Sequence, residues 1–103
     1  MASSVQVKDL DEVEPTGNYI VVYAWVTYIE DLDAHKPYQK GMLGDDSSRG
    51  IEPRKFVVYD PDLRLEKGNT YKIFGKERGY EKLDEIQILI SDADHVELVH
   101  EGD

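Results

Sequence analysis

The first strong pattern along the chain is a run of β-branched and aromatic residues from position 18 to position 30. Aliphatic side chains alternate there with larger ones, most of them aromatic. Alternation with a period of two predicts a β-strand. Because both faces of this strand are apolar, we expect one face to pack the interior of a barrel while the other is partly covered or awaits a ligand.

Four shorter strands follow, each bounded by polar, glycine or proline residues. They are predicted at residues 38–43, 54–59, 71–75 and 86–90. The polar stretch 44–50 joins the first two of these as a hairpin, and residues 75–80 are predicted to belong to the loop between the last two. An interruption at 92–94 separates the final strand from residues 96–100, which extend it or follow it. The connections between the predicted strands are long enough for at most one turn of helix.

Five short strands at near-regular spacing are typical of a small closed antiparallel barrel. We therefore predict an all-β, five-stranded barrel, formed as one domain over residues 1–103 with its core at about 5–99. The alternation assigns ten side chains to the barrel interior: Ile20, Val22, Ala24, Val26, Phe56, Val58, Ile73, Ile86, Ile88 and Ile90. In this register Phe56 points inward and Tyr59 points outward.

The composition narrows the class of protein. A chain of 103 residues, 40% of them hydrophobic, has room for one core. It contains no cysteine, which excludes disulfides and thiolate metal sites. The longest apolar run, residues 19–26, is far shorter than the ~20 residues of a membrane span, and the first ten residues lack the apolar segment of a signal peptide. These features lead us to expect a cytoplasmic protein.

The charge of the chain argues against a simple nucleic-acid-binding surface. Its 22 acidic and 12 basic residues give a net charge of −10, whereas nucleic-acid-binding proteins usually carry a basic footprint. An acidic surface is also a way to stay soluble in high salt, where long-range repulsion is screened. The basic residues nevertheless gather in two stretches of the sequence: Arg49, Arg54 and Lys55, then Lys72, Lys76, Arg78 and Lys82.

Four strings in the sequence carry a family resemblance: GMLGDDSS, RKFVVYDP, LEKGNTYKI and EIQILIS. Together they resemble the oligonucleotide/oligosaccharide-binding (OB) domains of the replication protein A type, especially the short archaeal relatives. The resemblance spans residues 5–99, and it implies a Greek-key OB barrel that binds single-stranded nucleic acid, above all single-stranded DNA. The hairpin tip departs from the family pattern because residues 48–53 lengthen it, which leaves the register of the flanking strands open.

The same resemblance implies a set of nucleic-acid-binding residues. Lys55 and Tyr59 match the basic and aromatic residues with which the family contacts a phosphate and stacks a base. A tyrosine that merely covers the barrel rim would occupy the same position as Tyr59. Arg54 and Trp25 are included in the predicted set, although a tryptophan at position 25 is equally consistent with the core or with packing under a loop.

Residues 75–80 match the family loop that closes over the bound strand. That loop supplies a second stacking aromatic, for which Phe74 and Tyr80 are the candidates, and Lys76 and Arg78 add positive charge beside them. We expect one of these aromatic rings to lie across the groove from Tyr59. A surface hairpin with an exposed tyrosine is the alternative interpretation of the segment.

Catalytic and metal-binding motifs are scarce in the sequence. It has no nucleophile elbow, no glycine-rich phosphate loop and no histidine pair at metal spacing. The aspartate pairs at 45–46 and 92–94 are interpreted as solvated turn residues, because an EF-hand loop needs further ligands. All three histidines are expected at the surface: His35, His95 and His100. We predict a binding protein without enzymatic activity, cofactor or metal.

Two classes of partner remain open. The first is single-stranded DNA, or RNA, bound by aromatic stacking and local basic contacts. The second is a protein, with the barrel acting as an interaction module or accessory subunit that binds no nucleic acid. The aromatic and basic third strand favours nucleic acid, the net charge favours a protein partner, and a monomer is the expected oligomeric state.

Overall fold

The computed structural model describes residues 5–31, 37–46, 54–80 and 85–102. Within these ranges the chain forms seven strands: β1 (Gln6–Val7), β2 (Tyr19–Asp31), β3 (Gln39–Gly44), β4 (Arg54–Val58), β5 (Thr70–Tyr80), β6 (Glu85–Ile90) and β7 (Val96–His100). Short 3₁₀ helices form at Leu10–Glu12 and Ala93–His95. The all-β prediction is confirmed. No helix in this part of the chain is long and apolar enough to span a membrane.

Five of the strands close into a barrel. They pair in the order β2, β3, β4, β6 and β5, and β5 pairs again with β2. Closure depends on β2, whose residues 19–25 pair with β5 and whose residues 25–31 pair with β3. The pairings within the barrel are antiparallel except for β4 with β6. The predicted number of barrel strands is therefore confirmed, with β1 and β7 added beside β2 and β5.

The segment 75–80, predicted as a loop, is instead the second half of β5. The alternation is hard to recognise there because the two inward positions are Gly75 and Glu77 rather than aliphatic residues. Gly75 fits a close approach of two strands, since a Cβ atom would lie 2.6 Å from the Ile88 side chain. The predicted hairpin tip and the connection at 81–84 lie outside the described residues.

The alternation predicts the core well. Nine of the ten residues assigned to the interior are at most 1% exposed, and the tenth, Ile86, is partly buried against them. Leu10 covers one end of the barrel, where the end of β3 meets the start of β4. Leu65 covers the opposite end, where its backbone pairs with the buried Gln39 side chain at the start of β3. In the described part of the chain, side chains from non-helical or 3₁₀ segments thus cover both ends.

A buried carboxylate fastens residues 8–18, the N-terminal strap, to the barrel. Glu77 is 1% exposed, and its carboxylate accepts hydrogen bonds from the Lys8 ammonium (3.0 Å), the Glu14 amide (3.0 Å) and the Thr16 hydroxyl. Burial raises the pKa of Glu77, but these hydrogen bonds and the Lys8 charge outweigh burial and hold the pKa below its ordinary range. The ionised carboxylate is therefore the form that stabilises the fold.

Replacing this carboxylate should change both stability and its pH dependence. Glu77→Gln should lower the free energy of unfolding at neutral pH by on the order of 2 to 3 kcal/mol, because the buried Lys8 loses its counter-ion. A folded-state pKa below the unfolded one contributes stability above about pH 4.3, and this contribution is lost as the pH falls through the folded pKa. Urea unfolding at neutral pH and at about pH 3 should therefore show a smaller loss on acidification in Glu77→Gln than in the wild type.

The exposed Glu97 on β7 provides the control for that measurement. Glu97→Gln should follow the wild-type pH dependence, since its carboxylate is solvated in both states. Equal acid-induced losses in the wild type and Glu77→Gln would contradict the role assigned to the buried carboxylate.

Candidate functional site

The outer face of the barrel carries two adjacent rows of side chains that cross the same five strands. Strand register places Tyr28, Met42, Lys55, Gln87 and Arg78 in the first row. Two residues along each strand, the second row contains Glu30, Lys40, Val57, Leu89 and Lys76. The positions between the rows include the buried Phe56, Ile88 and Glu77, so the rows project from the opposite, outer side of the sheet. Two of their members, Val57 and Gln87, are nevertheless buried among their neighbours. We call these two rows the groove face.

A groove of about 210 Å³ opens on this face over β2, β3, β4 and β6. The Tyr28 ring, 48% exposed, forms part of its wall. A register shift in β2 produces this arrangement, because Val26 pairs with Leu43 whereas Tyr28 pairs with Met42. Strict alternation from Tyr19 predicts that Thr27, not Tyr28, points outward. Sequence reasoning therefore missed Tyr28, because the alternation of residue types gives no sign of the register shift.

Gly41 allows β2 and β3 to approach closely beneath the groove. A Cβ atom at this position would lie 2.0 Å from the Tyr28 carbonyl oxygen and 2.8 Å from the Phe56 ring. Neither neighbour can move easily, because one belongs to the backbone and the other to the core. A glycine is therefore needed here to keep the groove and the barrel wall together.

The groove face is basic although the protein as a whole is acidic. The described ionisable side chains of its two rows are four cations and one carboxylate: Lys40, Lys55, Lys76, Arg78 and Glu30. Lys40 and Glu30 lie 4.0 Å apart with about half of each side chain exposed, so that this pair is weak. The excess of acidic groups that gives the net charge of −10 therefore lies outside these two rows.

Arg78 links Tyr59 to the groove face. Its guanidinium donates to Gln87 Oε1 from Nε (3.3 Å) and Nη2 (3.1 Å), and Nη2 also donates to the Tyr59 hydroxyl (3.3 Å). The guanidinium carbon lies 5.6 Å from the centre of the Tyr59 ring, within cation–π range. The partly exposed Tyr59 ring is thus held beside a fixed positive charge.

The structure brings some of the predicted residues together and separates others. Lys55 and Arg78 flank Gln87 on the groove face, and Arg78 contacts Tyr59. Arg54 points instead toward the end of the barrel, where its Nε donates to the Leu10 carbonyl (2.9 Å). Trp25 lies against Gly44 on the outer side of β2 and β3, with its indole nitrogen 2.8 Å from where a Gly44 Cβ would be.

Phe74 does not lie across the groove from Tyr59, contrary to one of the two expected arrangements. Its ring stacks on Tyr19 with centroids 5.0 Å apart and meets the edge of His95 at 4.9 Å. His95 was expected at the surface, but it is partly buried, and its Nδ1 has no hydrogen-bond partner among the described residues. The other candidate ring belongs to Tyr80, which ends β5 opposite Glu85, and its side chain lies outside the described structure.

Among the aspartates considered as cation ligands, Asp92 is a solvated turn residue as expected, but Asp45 is buried instead. Asp92 accepts from the Asp94 amide (2.8 Å), and the buried Asp45 accepts from the Leu10 amide (2.9 Å). A third acidic group, in the N-terminal strap, brings three exposed carboxylates within 4.8 Å of one another: Asp9, Asp11 and Glu12. Solvated carboxylates of this kind are ordinary on an acidic surface.

The architecture agrees with two solved structures. The solution structure of the OB domain of a Methanosarcina mazei protein superposes with a TM-score of 0.76 and 19% identity, covering 98% of this chain and 90% of that domain. The OB domain of a Thermoplasma acidophilum protein superposes with a TM-score of 0.67 and 11% identity, covering 92% and 86%. The chain has an OB fold. Neither a protein-family model nor a curated protein matches the sequence.

The groove face can be compared with the usual ligand-binding surface of OB folds. In OB folds the second and third barrel strands, with the loops beside them, form the usual ligand surface. Here those strands are β3 and β4, which carry Lys40, Met42 and Lys55 on the groove face. The groove thus lies where an OB fold usually binds its ligands, although the fold alone does not define the ligand.

Gly41 offers a direct test of this geometry. Gly41→Ala should lower the free energy of unfolding by about 1 to 3 kcal/mol, because the added methyl group overlaps backbone and core atoms. Gly44→Ala is the matched control, since the atom nearest to its Cβ belongs to the Trp25 side chain, which can turn aside. Urea midpoints should fall much further for Gly41→Ala than for Gly44→Ala, and the reverse order would contradict the close approach of β2 and β3.

Proposed function

We propose that this OB barrel binds single-stranded nucleic acid, in the first place single-stranded DNA, in the manner of replication protein A-type domains. The observation that carries the proposal is the placement of Lys55 and Arg78 on either side of Gln87 on the groove face, with Tyr59 held against Arg78. Single strands are bound without catalysis by combining a basic groove with aromatic rings on which bases stack. We accordingly propose a binding role rather than an enzymatic one.

In this proposal the aromatic rings and the cations have separate tasks. Tyr59 and Tyr28 offer partly exposed ring faces to bases. Lys55 lies in the same row as Tyr28, two strands away on β4, and Arg78 lies at the far end of that row beside Tyr59, so that both cations are placed to contact the phosphates. The row from Tyr28 on β2 to Arg78 on β5 spans four strand spacings, about 19 Å, which is room for a few nucleotides.

A protein partner remains the second candidate because of the net charge of −10. An acidic domain repels polyanions over distances beyond direct contact. If the wild-type protein binds no single strand at low salt, the nucleic-acid proposal is wrong. The same groove face should then be tested against basic protein partners.

The stacking role of Tyr59 can be separated from its hydrogen bond. Tyr59→Ala should weaken binding of a labelled oligothymidylate by about 1 to 3 kcal/mol, or roughly 5- to 150-fold, because one base loses its platform. Tyr59→Phe keeps the ring and loses only the bond to Arg78, so its affinity should stay within about twofold of the wild type. Fluorescence anisotropy gives the affinities, and wild-type affinity in a folded Tyr59→Ala variant would refute the platform.

The phosphate contacts should appear in the salt dependence of binding. Each phosphate neutralised on a single strand contributes a slope of about −0.7 to the plot of log affinity against log salt, so that up to four cations give at most about −3. Lys55→Gln should reduce the slope by about 0.7, whereas Lys67→Gln, an exposed change in the turn before β5, should leave it unchanged. Affinity that does not vary with salt would exclude a phosphate-led mechanism.

A further inference from the structure

The outer surface beside the groove face carries a second aromatic and basic cluster, formed by β2 and β5. Tyr19 on β2 pairs with Lys76 on β5, and the next outward positions along these strands are Val21 and Phe74. The Tyr19 and Phe74 rings stack with centroids 5.0 Å apart and an angle of 18°. Tyr19 is still 44% exposed, so part of its ring remains available to a ligand.

Lys76 connects this cluster to the groove face. It pairs with Tyr19 on one side and with Leu89 on the other, so it belongs to both surfaces. Two residues along β5 lies Arg78, which contacts Tyr59. Among the described residues Lys76 has no carboxylate within ion-pair distance. Outward side chains from Tyr59 to Tyr19 thus form one continuous surface in which two cations lie between two aromatic sites.

A role in stabilising the fold explains only part of this arrangement of aromatic rings and lysine. Stacked aromatic neighbours stabilise adjacent strands. Stability alone would favour a ring buried by its neighbours, whereas nearly half of Tyr19 faces solvent beside Lys76, which forms no ion pair with a described residue. A half-exposed ring next to a cation is the combination that sequence-independent binding of single strands requires.

We propose that a single strand bound in the groove continues along β5, over Arg78 and Lys76, and stacks a further base on the Tyr19–Phe74 pair. This inference rests on the proposed function and adds a second stacking site to it. From Arg78 to Phe74 the strand rises about 13 Å, which corresponds to about four nucleotides at the 3.4 Å rise of stacked bases. The protein should therefore distinguish longer from shorter oligonucleotides.

The local charge also shows where this path ends. Tyr23, the next tyrosine on the same face of β2, pairs with Lys72, which in turn pairs with Glu97 on β7. Asp94 and Glu97 line the depression beside Lys72 and Phe74. The depression extends from Phe74 to Lys72, so these carboxylates oppose the approach of a phosphate beyond Phe74. We therefore end the path at the Tyr19–Phe74 pair and leave Tyr23, which pairs with Lys72 and is 48% exposed, outside it.

The length dependence of binding tests this path, with Tyr23 as the matched control. Unlabelled oligothymidylates of about four to twelve nucleotides compete with a labelled long probe for the wild type, Tyr19→Leu and Tyr23→Leu. Wild-type affinity should rise until both sites are occupied. Tyr19→Leu should reach its plateau about four nucleotides earlier and bind the longest oligomers on the order of 5- to 100-fold more weakly, while retaining wild-type affinity for the shortest. Tyr23→Leu should match the wild type at every length.

Other outcomes separate failure of this path from failure of the proposed function. If no oligomer binds the wild type, both proposals are wrong. If short oligomers bind but Tyr19→Leu has the same plateau as the wild type, the groove stands and the second site is refuted. Equal losses in Tyr19→Leu and Tyr23→Leu would also refute it, because the effect would not depend on position along β2. Lys76→Gln gives an independent check, since it leaves the stacked rings intact. Because Lys76 also belongs to the groove face, this change should weaken binding at every length, but long oligomers should lose more affinity than short ones.

Discussion

Closure of the barrel depends on the double pairing of β2. Residues 19–25 of this strand pair with β5, and residues 25–31 pair with β3. A single strand that serves two partners has to bend, and it does so at the register shift between Val26 and Tyr28. That shift sets the outward direction of Tyr28, the pairing of Tyr28 with Met42 and the close approach at Gly41. The position of the groove is therefore a consequence of closing the sheet.

The interior and the exterior of β5 are linked by the same alternation. Glu77 points inward and binds the N-terminal strap, while Lys76 and Arg78 on either side of it point outward. Because buried, charged hydrogen bonds hold Glu77 in place, β5 has little freedom to twist. The outward directions of Lys76 and Arg78 are therefore fixed as well. A polar group inside the barrel is tolerated here since the strap supplies its partners, and in return the strand presents its cations in a fixed order.

The sequence predicts the parts of this structure that follow from period-two alternation. It identifies the five barrel strands, and Phe56 is buried as expected. The prediction fails where an inward-facing position is not aliphatic. Because Gly75 and Glu77 occupy two such positions, the second half of β5 is predicted as a loop. It also cannot locate Tyr28 on the groove face, because a register shift leaves no mark on the pattern, or pair Phe74 with Tyr19, because that contact depends on which strands are neighbours.

The excess of acidic over basic residues limits how the outer surface of the barrel can bind a polyanion. With a net charge of −10, long-range attraction of a polyanion is absent, and the few cations of the groove face act only at short range. Stacking requires no net charge and is less sensitive to salt, and it contributes about 1 to 3 kcal/mol for each base. An acidic barrel that binds single strands therefore needs several exposed rings, and Tyr19, Tyr28 and Tyr59 provide them around its outer face. In the proposed complex with a single strand, the aromatic side chains supply most of the affinity, and the cations fix the path of the strand.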